Sequence, residues 1–485
     1  MLKRGGEILK FSPKILNSKL NSPLFNAKFQ PSSKLYFIFG VIFNLCLLGF
    51  FKYTDFLLEN FNTFTKLVNL DFNIPLPHII LPLALSFVTF EQIAFLYDCY
   101  KRAKGQLHEN LNINFIDYAL FISFFPQLIA GPIIHHKEMM PQFAKIAKEK
   151  QIINYNFLAK GIFIFSIGLF KKVFIADSFA KIADAGFSAV EKGEFLNIVK
   201  SWETSLSYSF QLYFDFSGYC DMALGLGLMF GIILPLNFNS PYKSLNIAEF
   251  WRRWHITLGR FLSECVYIPL GGNKVSKILN LRNIFIVFFL SGIWHGAGWG
   301  FIIWGVLHAL AMMIHRIYSW FYKKLDKTNI FIKFMKTKSY KIFCWLLTFN
   351  FVNLAWVFFR AENLQGALNL LKTMFGIIWI DIPAQAYKFY KLFVNIQENT
   401  FIFIILSFAV CLAFKNSFEL MQNFHSKAFK FSIALRIFSK KIWLKGSGVF
   451  VVFIISVMLF YISIWLLIKA LLDDNAYSPF IYFNF

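Results

Sequence analysis

The sequence predicts an all-α, polytopic transmembrane helical bundle around a central cavity. Three observations point there. First, 57% of the 485 residues are hydrophobic and only 15% are charged, against about 25% charged in soluble domains. Second, apolar runs recur that match a hydrocarbon core about 30 Å thick, such as the uncharged stretch 448–468. Third, ionisable groups sit inside such runs, where insertion costs about 2.5–3.5 kcal/mol each and usually marks a pathway or a site.

Taken in order, residues 1–34 hold seven Lys/Arg, one Glu and no apolar signal core, which reads as a basic cytoplasmic segment rather than a secretory signal. Residues 35–472 form the transmembrane domain. Candidate spans lie at 35–51, 74–97, 115–134, 157–176, 206–235, 283–315, 342–359, 400–414 and 448–468. Polar interruptions raise the expectation to roughly 9–11 spans, some re-entrant or broken, with irregular backbone only where protein or a water-filled cavity covers it. The stretch IPLPHIILP at 74–82 has no room for a uniform helix, and PLGG at 269–272 reads as a turn. The mixed-charge stretch 137–150 reads as a re-entrant or interfacial piece. GLGLMFG at 225–231 predicts close helix packing through small residues; a phosphate cradle would need a preceding strand. The basic, acid-free stretch 427–445 places the start of the last span on the cytoplasmic side. The tail 473–485 then lies on the outer face.

A net charge of +23 invites a nucleic-acid reading. The cations occupy short loops beside apolar runs, as membrane topology requires, and no nucleic-acid partner is expected. Six scattered cysteines without a CxxC read as buried free thiols, with no zinc-ligand spacing. No separate soluble domain or internal repeat is evident.

Three places put ionisable groups at membrane depth. In SGIWHGAGWG, residues 291–300, His295 lies between glycines and Trp294 and Trp299. A neutral imidazole there is suited to accept a proton from an alcohol. His308 and His315 are taken as structural. In FWRRWHITLGRFLSECVYIPLGG, residues 250–272, Trp251 and Trp254 are expected to anchor an interfacial helix. Arg252 and His255 would share a helical face, and Glu249 and Arg253 would form an i,i+4 pair. Arg252, Arg253 and Arg260 form a basic cluster suited to phosphates. In QLYFDFSGYCDMALGLG, residues 211–227, Asp215 and Asp221 would orient a histidine, line a polar tunnel or pair with an arginine. These residues alone allow an acyltransferase and equally a proton-coupled transporter.

The pair of motifs FWRRWHITLGRFLSECVYIPLGGNK and SGIWHGAGWGFIIWGVLH closely resembles the membrane-bound O-acyltransferase family, in the bacterial branch that acetylates alginate or peptidoglycan. FISFFPQLIAGPI at 121–133, the segment 208–243 and LAWVFFRAENLQGALNLLKTMFG at 354–376 agree in the expected order. The resemblance implies that His295 is the catalytic histidine and His255 the second motif histidine. It implies acetyl-CoA as cytoplasmic donor, with no tightly bound cofactor and no metal. Arg252 and Arg253 become candidate donor-binding residues, and Trp254, Trp294 and Asp215 supporting ones. The terminal FIYFNF matches a pattern that implies an acyl relay through Tyr482 to a periplasmic esterase-like partner, and onward to an envelope polysaccharide. Relatives carry about two more spans before residue 35; either the start site is late or this member is shortened, and the completeness of the outer helical ring turns on which. D-alanyl transfer to teichoic acid is the enzymatic alternative. Proton-coupled transport and an envelope scaffold are the alternatives outside acyl transfer.

Overall fold

A computed structural model describes residues 31–70, 72–105, 115–129, 131–148, 154–322, 330–380, 400–422, 435–437, 440–442 and 448–472. The described chain is helical apart from a small antiparallel ribbon, Leu435–Ile437 against Lys440–Ile442. The expected all-α class holds.

Helix α1 (Pro31–Leu67) lies on the outside and presents Leu35, Phe39, Ile42, Phe43 and Phe50 outward. It packs against α2 (Leu85–Ala103). The link between them, residues 72–82, is non-helical as the prolines require. Asn62 holds it from α1: its side chain donates to the Ile74 carbonyl and accepts from the Ile74 N–H, at 2.7 and 2.8 Å. Short helix α3 (Phe115–Ser123) and amphipathic α4 (His136–Lys148) follow. On α4, Met139 and Met140 are buried while Lys145 and Lys148 are exposed.

Helix α5 (Tyr155–Phe170) runs through a π-helical segment, Lys171–Ala176, into α6 (Asp177–Glu191). This rod lies against α7 (Ile198–Met229), the central helix, which is buried along nearly its whole length. Glycines set the approach. A Cβ on Gly161 would lie 2.6 Å from the Gly225 carbonyl oxygen, and one on Gly168 2.5 Å from that of Gly218. Gly161 and Gly168 are two turns apart, as are Gly218 and Gly225, so the antiparallel helices touch backbone to backbone over two turns. The small-residue reading of 225–231 is borne out at Gly225. At the π segment, Lys171 binds Asp221 at 2.6 Å, and Lys172 binds both Asp177 and Asp215 at 2.8 Å.

Short helices α8 (Ile247–Arg253) and α9 (Ile256–Leu262) precede α10 (Lys277–His295) and α11 (Trp299–Tyr322). The run 283–315, read above as one candidate span, is thus two helices broken at 296–298. They cross at Gly292 and Gly305, where a Cβ on Gly292 would sit 3.0 Å from the Gly305 Cα. Short α12 (Ile330–Met335), then α13 (Lys338–Arg360), α14 (Leu364–Met374), α15 (Thr400–Ala413), α16 (Ser417–Gln422) and α17 (Gly448–Leu472) complete the order. Among the described residues, four helices are long and apolar enough to cross a membrane: Ser33–Leu67, Lys277–His295, Trp299–Tyr322 and Lys338–Arg360. Thr400–Ala413 is a shorter apolar helix. The cysteine reading holds for Cys220 and Cys411, but Cys46 is exposed on α1, where a thiol faces outward at no packing cost.

Gly225→Leu should overpack the α5–α7 crossing and cost about 1–3 kcal/mol or more. Thermal unfolding of the detergent-solubilised protein checks this. Gly49→Leu, where a Cβ meets nothing within 4 Å, should leave the midpoint unchanged.

Candidate active site

His295 is the last residue of α10, and Gly296 continues in extended conformation. A helix that stops leaves its final carbonyls without intrahelical donors. Three of them are met by α1. Tyr53 donates its hydroxyl to the Ile293 carbonyl, and the Lys52 ammonium donates to those of Trp294 and His295 at 2.6 and 3.0 Å. Two turns further along the same face, Asn60 accepts from the Trp299 indole N–H at 3.0 Å. Helix α1 therefore holds both sides of the break that carries His295.

His255 lies at a second break. Helix α8 ends at Arg253, and His255 takes φ 45°, a left-handed conformation that is uncommon outside glycine and found at strained functional positions. The chain is turned there by pairing with residues 237–239. Asn239 N–H donates to the Arg253 carbonyl and Ile256 N–H to the Asn237 carbonyl, each at 2.9 Å. The Asn237 side-chain oxygen accepts from Thr257 N–H at 3.2 Å and from the Thr257 hydroxyl at 2.9 Å, and lies 3.1 Å from His255 Nδ1. Because a backbone N–H donates to it, that atom is the amide oxygen, so Nδ1 carries the proton. In the neutral ring Nε2 then holds the lone pair.

This geometry corrects two sequence expectations. Arg252 and His255 do not share a helical face: Arg252 is exposed, whereas His255 is 1% exposed beyond the end of α8. Trp254 is not an interfacial anchor. It is 2% exposed and stacks among Phe250, Tyr242 and Trp356, because the turn at 254–255 swings it inward. The Glu249–Arg253 pair is present, at 2.9 Å. Arg253 also donates to the Asn239 carbonyl at 3.1 Å, and Arg260 pairs with Glu138 of α4. Two of the three arginines thus fasten loops.

The two histidines, forty residues apart in sequence, meet on one indole. Trp294 lies 6.4 Å from the His255 ring and 4.8 Å from the His295 ring, centroid to centroid. It is stacked on Phe90 at 4.7 Å, and its indole N–H has no hydrogen-bond partner among the described residues. His295 is 4% exposed, between Trp304 and Phe359 at 5.1 Å each. Beyond Trp304 stands His308, whose Nδ1 accepts from the Trp251 N–H at 3.2 Å. The glycines around His295 serve this packing: Gly292 faces Gly305, and Gly296 faces the Phe301 ring.

A small pocket borders Asn237, the residue whose side-chain oxygen lies beside His255. Lys171, Asp221, Cys220, Asn416 and Ser417 also line it. Asp215 is held by Lys172 rather than by an arginine. Tyr482 lies outside the described residues. The sequence reading did not reach Lys52, Tyr53 or Asn237. The first candidate span was ended at Phe51 because Lys52 follows, although the apolar pattern resumes immediately. A lone cation inside a continuing helix was the available signal. Asn237 carries no such signal, since an asparagine in a loop is ordinary.

Fold and site together define a helical membrane protein with two buried histidines at helix breaks. The sequence model of the membrane-bound O-acyltransferase family matches residues 106–359. A peptidoglycan O-acetyltransferase of Helicobacter pylori is 50% identical over 426 residues, 81% of this chain and 77% of the relative. A probable alginate O-acetylase of Pseudomonas aeruginosa is 39% identical over 71% of this chain, which spans 61% of that relative's length. A teichoic acid D-alanyltransferase of Bacillus subtilis is 28% identical over 58% of the chain. The chain belongs to the membrane-bound O-acyltransferase family and is a multi-pass membrane acyltransferase.

Asn237→Ala would strip partners from Thr257 and His255 in a buried corner, at about 1–3 kcal/mol per orphaned group. Its melting temperature and turnover should both fall, which thermal unfolding and an acyl-transfer assay on the same preparation would check.

Proposed function

We propose that the protein moves acetyl groups from cytoplasmic acetyl-CoA across the inner membrane for O-acetylation of a periplasmic cell-envelope polysaccharide, with peptidoglycan favoured over an alginate-like polymer. The observation that carries this reading is the meeting of both motif histidines on Trp294, at two helix breaks in a buried aromatic shell. The 50% identity to a peptidoglycan O-acetyltransferase supports the acceptor class. The lower identity to the teichoic acid D-alanyltransferase leaves that alternative less favoured.

The donor approaches from the cytoplasmic side. The cavity beside Asn237 is lined by Asn416 and Ser417, shortly before the basic stretch 427–445 assigned to that side. The pantetheine arm follows this route, and exposed Arg252 is the candidate phosphate partner, while Arg253 supports the loop. His295 accepts the proton of an acceptor hydroxyl as its oxygen attacks the acetyl carbonyl. The tetrahedral intermediate collapses by breaking the carbon–sulfur bond, and the proton on His295 passes to the departing thiolate. A positioned base contributes about 10²–10⁴-fold. With its proton on Nδ1, neutral His255 offers Nε2 as an acceptor and orients a reacting group. The Trp294 N–H, buried beside both rings, is the candidate oxyanion donor. Access to His295 requires Trp304 or Phe359 to move aside, since both rings cover it. The candidate acceptor in this step is the Tyr482 hydroxyl; a hydroxyl of a periplasmic esterase-like partner then attacks the tyrosyl acetate, takes the acetyl group and releases the phenol.

His295→Ala should lower ester-linked acetate released from purified peptidoglycan by mild base about 10²–10⁴-fold at equal protein level. Equal acetate in both strains would reject the peptidoglycan reading. Tyr482→Phe should abolish glycan acetylation while the protein remains inserted in the membrane. Unchanged glycan acetate in that variant rules out the relay.

A further inference from the structure

We infer that Lys52 is a positioning residue for His295, which it sets by gripping the backbone that carries the ring. This rests on the reading that His295 is the base of the transfer.

A helix ending in an apolar interior presents carbonyls that water cannot reach, and each unmet group is costly. Here the carbonyls of Ile293, Trp294 and His295 are taken by two adjacent side chains of α1, more than two hundred residues earlier. An ammonium has three donors and no fixed plane, so one Lys52 serves two successive carbonyls at 2.6 and 3.0 Å. It also lies 6.0 Å from the Trp294 ring centroid, within range of a cation–π attraction. One group therefore fixes the backbone of His295 and the indole beside it. Phe56 and Asn60, one and two turns along α1, hold Trp299 on the far side of the break. Lys52 meets His295 at its backbone carbonyl. Its effect on the reaction passes through the orientation of the last turn of α10.

Tight control of that turn matters because small displacements of a reacting group cost rate more than binding, up to about 10²-fold for 1 Å. The pocket proposed above as the donor route is lined by Asn237, Asn416 and Ser417 and not by Lys52, so on that route donor affinity should be insensitive to this residue.

The test uses the full chain in membrane vesicles of the native cell, which retain the periplasmic partner, with acetyl-CoA titrated against purified peptidoglycan and CoA release measured. Wild type and His295→Ala are run first. Absence of turnover in wild type, or equal turnover in both, counts against the reading of His295 itself and is thereby distinguished. Given an active wild type, Lys52→Met should lower kcat about 10–100-fold with KM for acetyl-CoA within about twofold, and Lys52→Arg should recover most of the loss. Wild-type kcat in Lys52→Met, or a loss carried wholly by KM, overturns the proposal. If Lys52→Met does not yield folded protein, Lys52→Gln, which keeps one donor group, should show a smaller kcat loss at unchanged KM; wild-type kcat there overturns it. If neither variant folds, Lys52 serves folding and the positioning role is rejected.

Discussion

Backbone that leaves the helical path inside an apolar protein must find hydrogen-bond partners from elsewhere in the chain. This one requirement organises the molecule. The break after His295 is satisfied by Lys52 and Tyr53, and the break at His255 by Asn237 and Thr257. The turn after α9 is held by Asn280 and Asn283, whose amides donate to the Gly272 and Leu270 carbonyls. The non-helical link at 72–82 is tied by Asn62. Asparagine recurs because a carboxamide both donates and accepts, and so pairs with bare peptide groups without introducing charge.

The same requirement explains why chemistry sits at the breaks. A continuous helix shields its backbone and fixes each side chain by period. A break exposes N–H groups and sets free the direction of the next residue. His295 and His255 each lie at such a point and reach the same indole from different parts of the sequence. The aromatic shell of Trp304, Phe359, Phe216 and Phe90 then excludes water, which strengthens every polar interaction inside it. Backbone-to-backbone glycine contacts between α5 and α7, and between α10 and α11, keep the scaffold around these breaks close-packed.

Charge is handled by pairing. Buried Lys172 lies between Asp177 and Asp215, and Lys171 meets Asp221 and Ser417 around the π segment. Such pairs add little net stability, but removing one partner leaves a buried charge that costs several kcal/mol. Their effect is to lock the long α5–α6 rod to α7 beside the pocket at Asn237. Arg253 and Arg260 are likewise engaged with Glu249 and Glu138. The high net charge thus coexists with an interior in which the motif cations largely fasten loops.

The sequence by itself determined the class of environment, the helical character and the two motif histidines. These follow from composition, run length and residues whose presence at membrane depth needs a reason. It also located the breaks at 74–82 and 269–272, because proline and glycine act locally. Only the tertiary structure decided that 283–315 is two helices and that Trp254 faces the core. It alone turned His255 away from Arg252, and it brought Lys52 to the end of α10. Those outcomes depend on partners tens to hundreds of residues away. The pairing of 253–257 with 237–239 overrides the local i,i+3 geometry that a single helix would impose. A periodicity reads one helix at a time and carries no information about which distant side chain will meet an orphaned carbonyl.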